Sequence, residues 1–226
     1  MAARIVPFGL YMLFLLISQT VGWLAQANGW QPSRTESLQL WIYPVKTLVV
    51  VAALLYYWRQ YEELSWPPKL SFSSLVLALV TGMVVYFAWV RMDWSWAMQG
   101  ERSAGYNPFL EEGVAGYSLA AFRLFGAAIV VPIMEEIFWR SFLMRYLILS
   151  RFETIPLGTV TPLSFGLVAV LFGVEHDLWL AGMMAGMTYG LLLAFTRNLW
   201  ACIVAHGITN SALGIHVLVT HEWYWW

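Results

Sequence analysis

The feature that most constrains this chain is its succession of long apolar runs, at residues 5–25, 39–58, 71–91, 118–150, 162–176, 178–196 and 199–219. A hydrocarbon core about 30 Å thick takes about 20 apolar residues of helix to cross. In lipid, each backbone N–H and C=O must be satisfied within a helix or a closed barrel, and no run here alternates as a barrel strand does. The sequence therefore predicts an all-α fold, a polytopic transmembrane helical bundle with the lipid bilayer as its partner. Composition agrees, with 60% hydrophobic and 11% charged residues, against about 25% charged in soluble domains. A formal net charge of −1 with scattered basic residues gives no reason to expect nucleic acid. A single cysteine, Cys202, excludes an internal disulfide framework.

The span count turns on residues 118–150, which as one helix would be about 50 Å long. Pro132 can kink or break it, so the expectation is seven or eight spans. Between the runs lie polar loops at 26–37 and 59–70, the second with a Pro pair, and a Trp- and Tyr-rich interfacial segment at 91–113. The tail "HEWYWW" (221–226) reads as an aromatic cluster at a membrane surface. The first run, Ile5–Ala25, is longer than a usual signal-peptide core, so an uncleaved span is expected despite "AQA" at 25–27. Arg4, Arg59, Lys69, Arg145, Arg151 and Arg197 fall on one side of a seven-span arrangement, and Arg34, Arg91 and Arg102 on the other. The positive-inside rule then predicts a cytoplasmic N-terminus.

Three apolar runs contain residues that are costly in lipid. "MEEIFWRSFL" (134–143) holds Glu135, Glu136 and Arg140. Glu136 and Arg140 are i and i+4 and can neutralise each other, a structural staple with no chemistry. Glu135 points about 100° away and needs another environment. "LFGVEHDLW" (171–179) pairs Phe172 with His176 at i, i+4, flanked by Glu175 and Asp177, and "CIVAHGITN" (202–210) pairs His206 with Asn210. Singly, each is an ordinary core His or a helix-gluing Asn. Together they offer a Glu–His general base for water and two donors for an oxyanion, the parts of a peptide-bond hydrolase without a nucleophilic side chain.

Other chemistries fit less well. Two His and a Glu also make a zinc ligand set, but no HExxH is present, and no metal or other cofactor is expected. Cys202 and His206 permit a dyad that lacks a third orienting group. Ser141 sits in no nucleophile-elbow context. A retinal-type pigment needs a lysine in the last span, whereas the lysines are Lys46 and Lys69.

Glu135-Glu136-x-x-x-Arg140, Phe172-x-x-x-His176 and His206-x-x-x-Asn210 stand in the order of the EExxxR, FxxxH and HxxxN motifs of the CPBP family, the CAAX prenyl protease and bacteriocin-processing type of glutamic intramembrane protease. The chain resembles that family over about residues 118–220. "VVPIMEEIFWRSFLMRYL", "VLFGVEHDLWLAGMMAGMTYG" and "NLWACIVAHGITN" look like the exosortase-associated CAAX protease-related branch. The resemblance implies a helical bundle around a water-accessible intramembrane cavity. It implies catalysis by Glu135 and His176 on water, with His206 and Asn210 stabilising the oxyanion and Glu136, Arg140 and Phe172 supporting the site. It further implies a membrane-associated peptide or protein substrate, a bacterial inner membrane location, and exosortase sorting components as partners. On this reading residues 1–117 are N-terminal spans with the interfacial loop, 118–220 the protease-like core, and 221–226 an aromatic tail. The alternatives left open are a non-catalytic membrane binding or scaffold protein, a proton-coupled transporter, and a metal-dependent protease using the same Glu and His residues.

Overall fold

The computed structural model describes residues 1–65, 67–100, 102 and 104–226. Seven apolar helices run through it: α1 Ala2–Ala27, α2 Pro32–Tyr57, α3 Phe72–Trp89, α4 Val114–Tyr146, α5 Pro162–Val174, α6 Trp179–Thr196 and α7 Leu199–Thr220. No strand occurs among the described residues. Six of the helices are long and apolar enough to cross a membrane; α5, at 13 residues, is shorter. The chain is an integral membrane protein of all-α architecture. Leu16, Val80, Val84, Leu191 and Phe195 are among the large apolar side chains left on the outside, as expected when the surroundings are lipid.

The helices do not begin and end where apolarity does. The polar loop expected at 26–37 shrinks to 28–31, because Pro32 takes the first position of α2, where its missing N–H costs nothing, and "SRTES" continues the helix into the interface. Of the kink or break that Pro132 allows, the break does not occur. α4 runs unbroken from Val114 to Tyr146 because two wide π-helical turns, Gly126–Val130 and Ile137–Leu143, absorb the disturbance. One continuous α4 selects seven apolar helices over eight.

α1 packs on α2, α3 on α7, and α5 on α6, while α4 threads the middle and touches α1, α2, α5 and α7. Gly82 of α3 and Gly207 of α7 allow close approaches: an added Cβ would lie 2.4 Å from the Ala205 carbonyl and 2.8 Å from the Ala128 carbonyl, respectively. Small residues at such crossings are how membrane helices gain packing.

Arg4 and Arg145, placed by the sequence on one side of the spans, do not lie open to solvent. Both are buried, at 7% and 6% exposure. Arg4 grips Glu63 through two hydrogen bonds (3.0 and 2.7 Å), Arg145 donates to the Ser141 hydroxyl at 2.9 Å, and that hydroxyl contacts the Glu63 carboxylate. At the opposite end the tail folds back over the 91–113 segment. Trp223 meets Phe109, Trp226 meets Tyr106, and Arg102 lies over the Tyr224 ring. Gly105, at φ +74°, lets the tail lie flat, since a Cβ there would meet the Trp223 carbonyl.

Candidate active site

Neighbouring helix residues point about 100° apart, so Glu135 and Glu136 enter different environments. Glu136 is fully enclosed. Its Oε2 lies 3.2 Å from Nε of Arg140, one turn on, and its Oε1 lies 3.0 Å from Nδ1 of His206 on α7. Arg140 is equally enclosed; it donates to the Gly186 carbonyl at 3.3 Å and sits 4.4 Å from the centre of the Phe172 ring. Phe172 therefore caps the guanidinium, and its ring lies 4.9 Å from that of His176. This makes physical sense of a Phe one turn before a His: it covers the cation and backs the imidazole.

Glu135 turns instead into a cavity of about 460 Å³. His176, His206 and Asn210 line the same cavity, with Glu175, Tyr189 and Arg123. The four residues predicted as catalytic thus share one chamber, while Glu136 and Arg140 stand behind its wall. Glu135 is 4% exposed, and its Oε2 has no hydrogen-bond partner. A buried carboxylate oxygen without a partner is expensive, which marks a place for water or a substrate atom.

His176 lies in the turn between α5 and α6. Its Nδ1 is 2.7 Å from the Phe172 carbonyl. A carbonyl only accepts, so Nδ1 carries the hydrogen and Nε2 of the neutral ring keeps its lone pair. The turn itself is clamped from the 91–113 segment. The Gln99 side chain donates to the carbonyls of Val174 (2.7 Å) and His176 (3.0 Å), and its backbone N–H donates to Asp177 (2.7 Å). Nothing in the sequence flagged Gln99, because a loop residue two helices distant carries no periodic signal.

His206 is stacked on Tyr189, with ring centres 5.1 Å apart. Asn210 answers a local defect. In the first wide turn the Val131 N–H goes to Gly126, five residues back, and Pro132 has no N–H to offer Ala127. The orphaned Ala127 carbonyl accepts from Asn210 Nδ2 at 2.8 Å. The second Nδ2 hydrogen is left for other use.

Glu175 was noted in the sequence only as a neighbour of His176. Ligand atoms of Glu135, Glu175 and His176 lie within 4.8 Å of one another, the spacing of groups that can gather around one water or one cation. Cys202, by contrast, is buried away from the cavity, with Sγ 3.4 Å from the Tyr189 carbonyl, and forms no dyad with His206. Ser141 is likewise remote, held in the Arg4–Glu63 cluster.

Residues 117–212 match the family model described as type II CAAX prenyl endopeptidase Rce1-like. Over this region the chain is similar to the Rce1-like, CPBP family. The match covers Glu135, Glu136, Arg140, Phe172, His176, His206 and Asn210, and the similarity points to a membrane protease. No curated protein and no solved structure matches the chain.

Proposed function

We propose that the protein is an intramembrane endopeptidase of the glutamic type, hydrolysing a peptide bond of a membrane-associated protein or peptide without a metal. The observation that carries this reading is the convergence of Glu135, His176, His206 and Asn210 on one cavity, with Glu135 Oε2 unpartnered. A water between Glu135 and His176 gives a proton to this pair as its oxygen bonds to the scissile carbonyl carbon. The carbonyl oxygen becomes negative and takes hydrogen bonds from Asn210 Nδ2 and His206 Nε2. To donate from Nε2 while Nδ1 stays on Glu136, the His206 ring must hold both protons. The C–N bond then breaks, the leaving nitrogen takes the proton held by the Glu135–His176 pair, and a carboxylate and an amine are released.

The test compares protein termini, by mass spectrometry, in membranes of cells expressing wild type or Glu135→Gln. A new terminus seen only with wild type supports proteolysis; identical termini, with both proteins inserted at equal abundance, favour the binding or scaffold reading. A prenylated CAAX peptide is the first substrate to offer the purified protein, since the family description names it. The closeness of Glu135, Glu175 and His176 favours a metal-dependent hydrolysis as the second reading. Activity that survives chelation and metal depletion rejects it.

The same proposal puts the N-terminus in the cytoplasm of a bacterial inner membrane, supported by Arg59, Lys69, Arg151 and Arg197 near the end that carries Met1. The cavity, lined by Asp177, Tyr224 and Trp225 of the other end, then opens away from the cytoplasm. Exosortase-type sorting components are the partners to seek by co-purification.

A further inference from the structure

A second cavity, of about 430 Å³, lies between α1, α2 and α4 beside the first. Lys46 and Arg123 both line it. Lys46 is 4% exposed, and its Nζ sits 3.9 Å from the centre of the Tyr11 ring and 4.7 Å from that of Tyr43. The Arg123 guanidinium is 4.5 Å from the same Tyr43 ring, and its buried Nε has no hydrogen-bond partner. The two cations are therefore no further apart than the sum of their distances to one ring. Among the described residues neither forms an ion pair with a carboxylate. Of the other buried cations among the described residues, Arg4 pairs with Glu63 and Arg140 with Glu136, while Arg145 donates to the Ser141 hydroxyl beside the Arg4–Glu63 pair.

Aromatic faces soften a buried positive charge but do not neutralise it, and two such charges held together repel. Among the described residues the only carboxylate side chain lining the cavity is that of Glu36, which is exposed and ten residues from Lys46 along α2, about 15 Å. Leu15, Ser18, Tyr43, Arg123 and Trp226 line both cavities, so the cation pair borders the chamber that holds Glu135. Arg123 and Glu135 are twelve residues apart on α4, about 18 Å along its axis, a span covered by about five residues of extended peptide.

We propose that Lys46 and Arg123 form an anion subsite that takes a carboxylate of the peptide substrate, side-chain or chain-terminal, carried within about five residues of the scissile bond. The subsite rests on the endopeptidase reading for its substrate, but its test does not need turnover. Full-length Glu135→Gln protein in phosphatidylcholine nanodiscs is titrated with three fluorescein-labelled ten-residue Leu/Ala peptides. One carries a central Glu and a C-terminal amide, one a Gln in that place, and one a free C-terminal carboxylate without Glu. Fluorescence polarisation is expected to show about tenfold tighter binding of a carboxylate-bearing peptide than of the Gln peptide, and which of the two gains identifies the source of the carboxylate. Arg123→Gln and Lys46→Gln are each expected to abolish the difference, and Arg123→Lys to restore part of it. Equal affinities for all three peptides would overturn the proposal, as would a preference that survives both Gln variants. So would displacement of the Glu peptide by phosphatidylglycerol at equimolar ratio, which would give the site to a lipid phosphate. A carboxylate preference in a protein whose wild type cleaves nothing would keep the subsite and sink the protease reading.

Discussion

Glu135 and Glu136 are adjacent, alike in chemistry, and opposite in what they require. Glu136 is sandwiched between Arg140 and His206 with no exposure, so removing its charge strands a buried guanidinium. Breaking such a pair typically costs about 3–5 kcal/mol. Glu136→Gln is therefore expected to lower the thermal midpoint sharply, whereas Glu135→Gln, whose Oε2 has no partner to lose, should leave it nearly unchanged. Tryptophan-fluorescence melts of the two purified variants decide this; equal losses would mean that the two carboxylates do not differ as described. Asn210 has a double duty. Asn210→Ala leaves the Ala127 carbonyl unsatisfied, a cost of about 1–3 kcal/mol. If the proposed mechanism holds, it also lowers kcat by about 10²–10³, the usual effect of losing one oxyanion donor. A kcat that moves no more than the stability does would assign Asn210 to structure alone.

α4 is the element on which the site depends. Its two wide turns bracket Glu135 and Glu136, as π-helical turns often bracket functional residues. The first turn and Pro132 together free the carbonyl that Asn210 takes up, so a helix defect is converted into a contact with α7. That contact needs Gly207, whose missing Cβ leaves room for the Ala128 carbonyl. Gly207→Ala is expected to push α7 from α4 and to destabilise by about 1–3 kcal/mol, as overpacking does. The check is a thermal melt beside Gly9→Ala, since Gly9 has open space around it and should tolerate the methyl group.

At the scale of the whole molecule, the Arg4–Glu63–Ser141–Arg145 cluster ties the start of α1 and the loop after α2 to the last turns of α4. Burial alone would push the Glu63 carboxyl up, but hydrogen bonds from Arg4 and Ser141 and the Arg4 charge outweigh it and hold the group below the usual carboxylate value of 4.5. A depressed folded value means that this stabilisation is complete above about pH 4.5 and is lost as the pH falls through the lowered value. Glu63→Gln is accordingly expected to lower the melting temperature at neutral pH and to flatten its fall in acid. Parallel acid profiles for wild type and variant would show that the cluster contributes nothing to the pH dependence.

Hydrophobicity and local helix geometry are properties of short stretches, and these the sequence determined by itself. Seven apolar runs, the i, i+4 pairing of Glu136 with Arg140, and the shared faces of Phe172 with His176 and His206 with Asn210 follow from 3.6 residues per turn. Helix ends were less legible. "SRTES" joins a helix because Pro32 starts it, and Pro132 interrupts nothing because a wide turn absorbs it. Only the tertiary structure decided which faces meet: Glu136 with His206, Glu135 with Glu175, Gln99 beneath the His176 turn, and Lys46 with Arg123 about one Tyr43 ring. Such meetings depend on crossing positions and close glycine contacts between helices far apart in the chain, and neither leaves a period in the sequence.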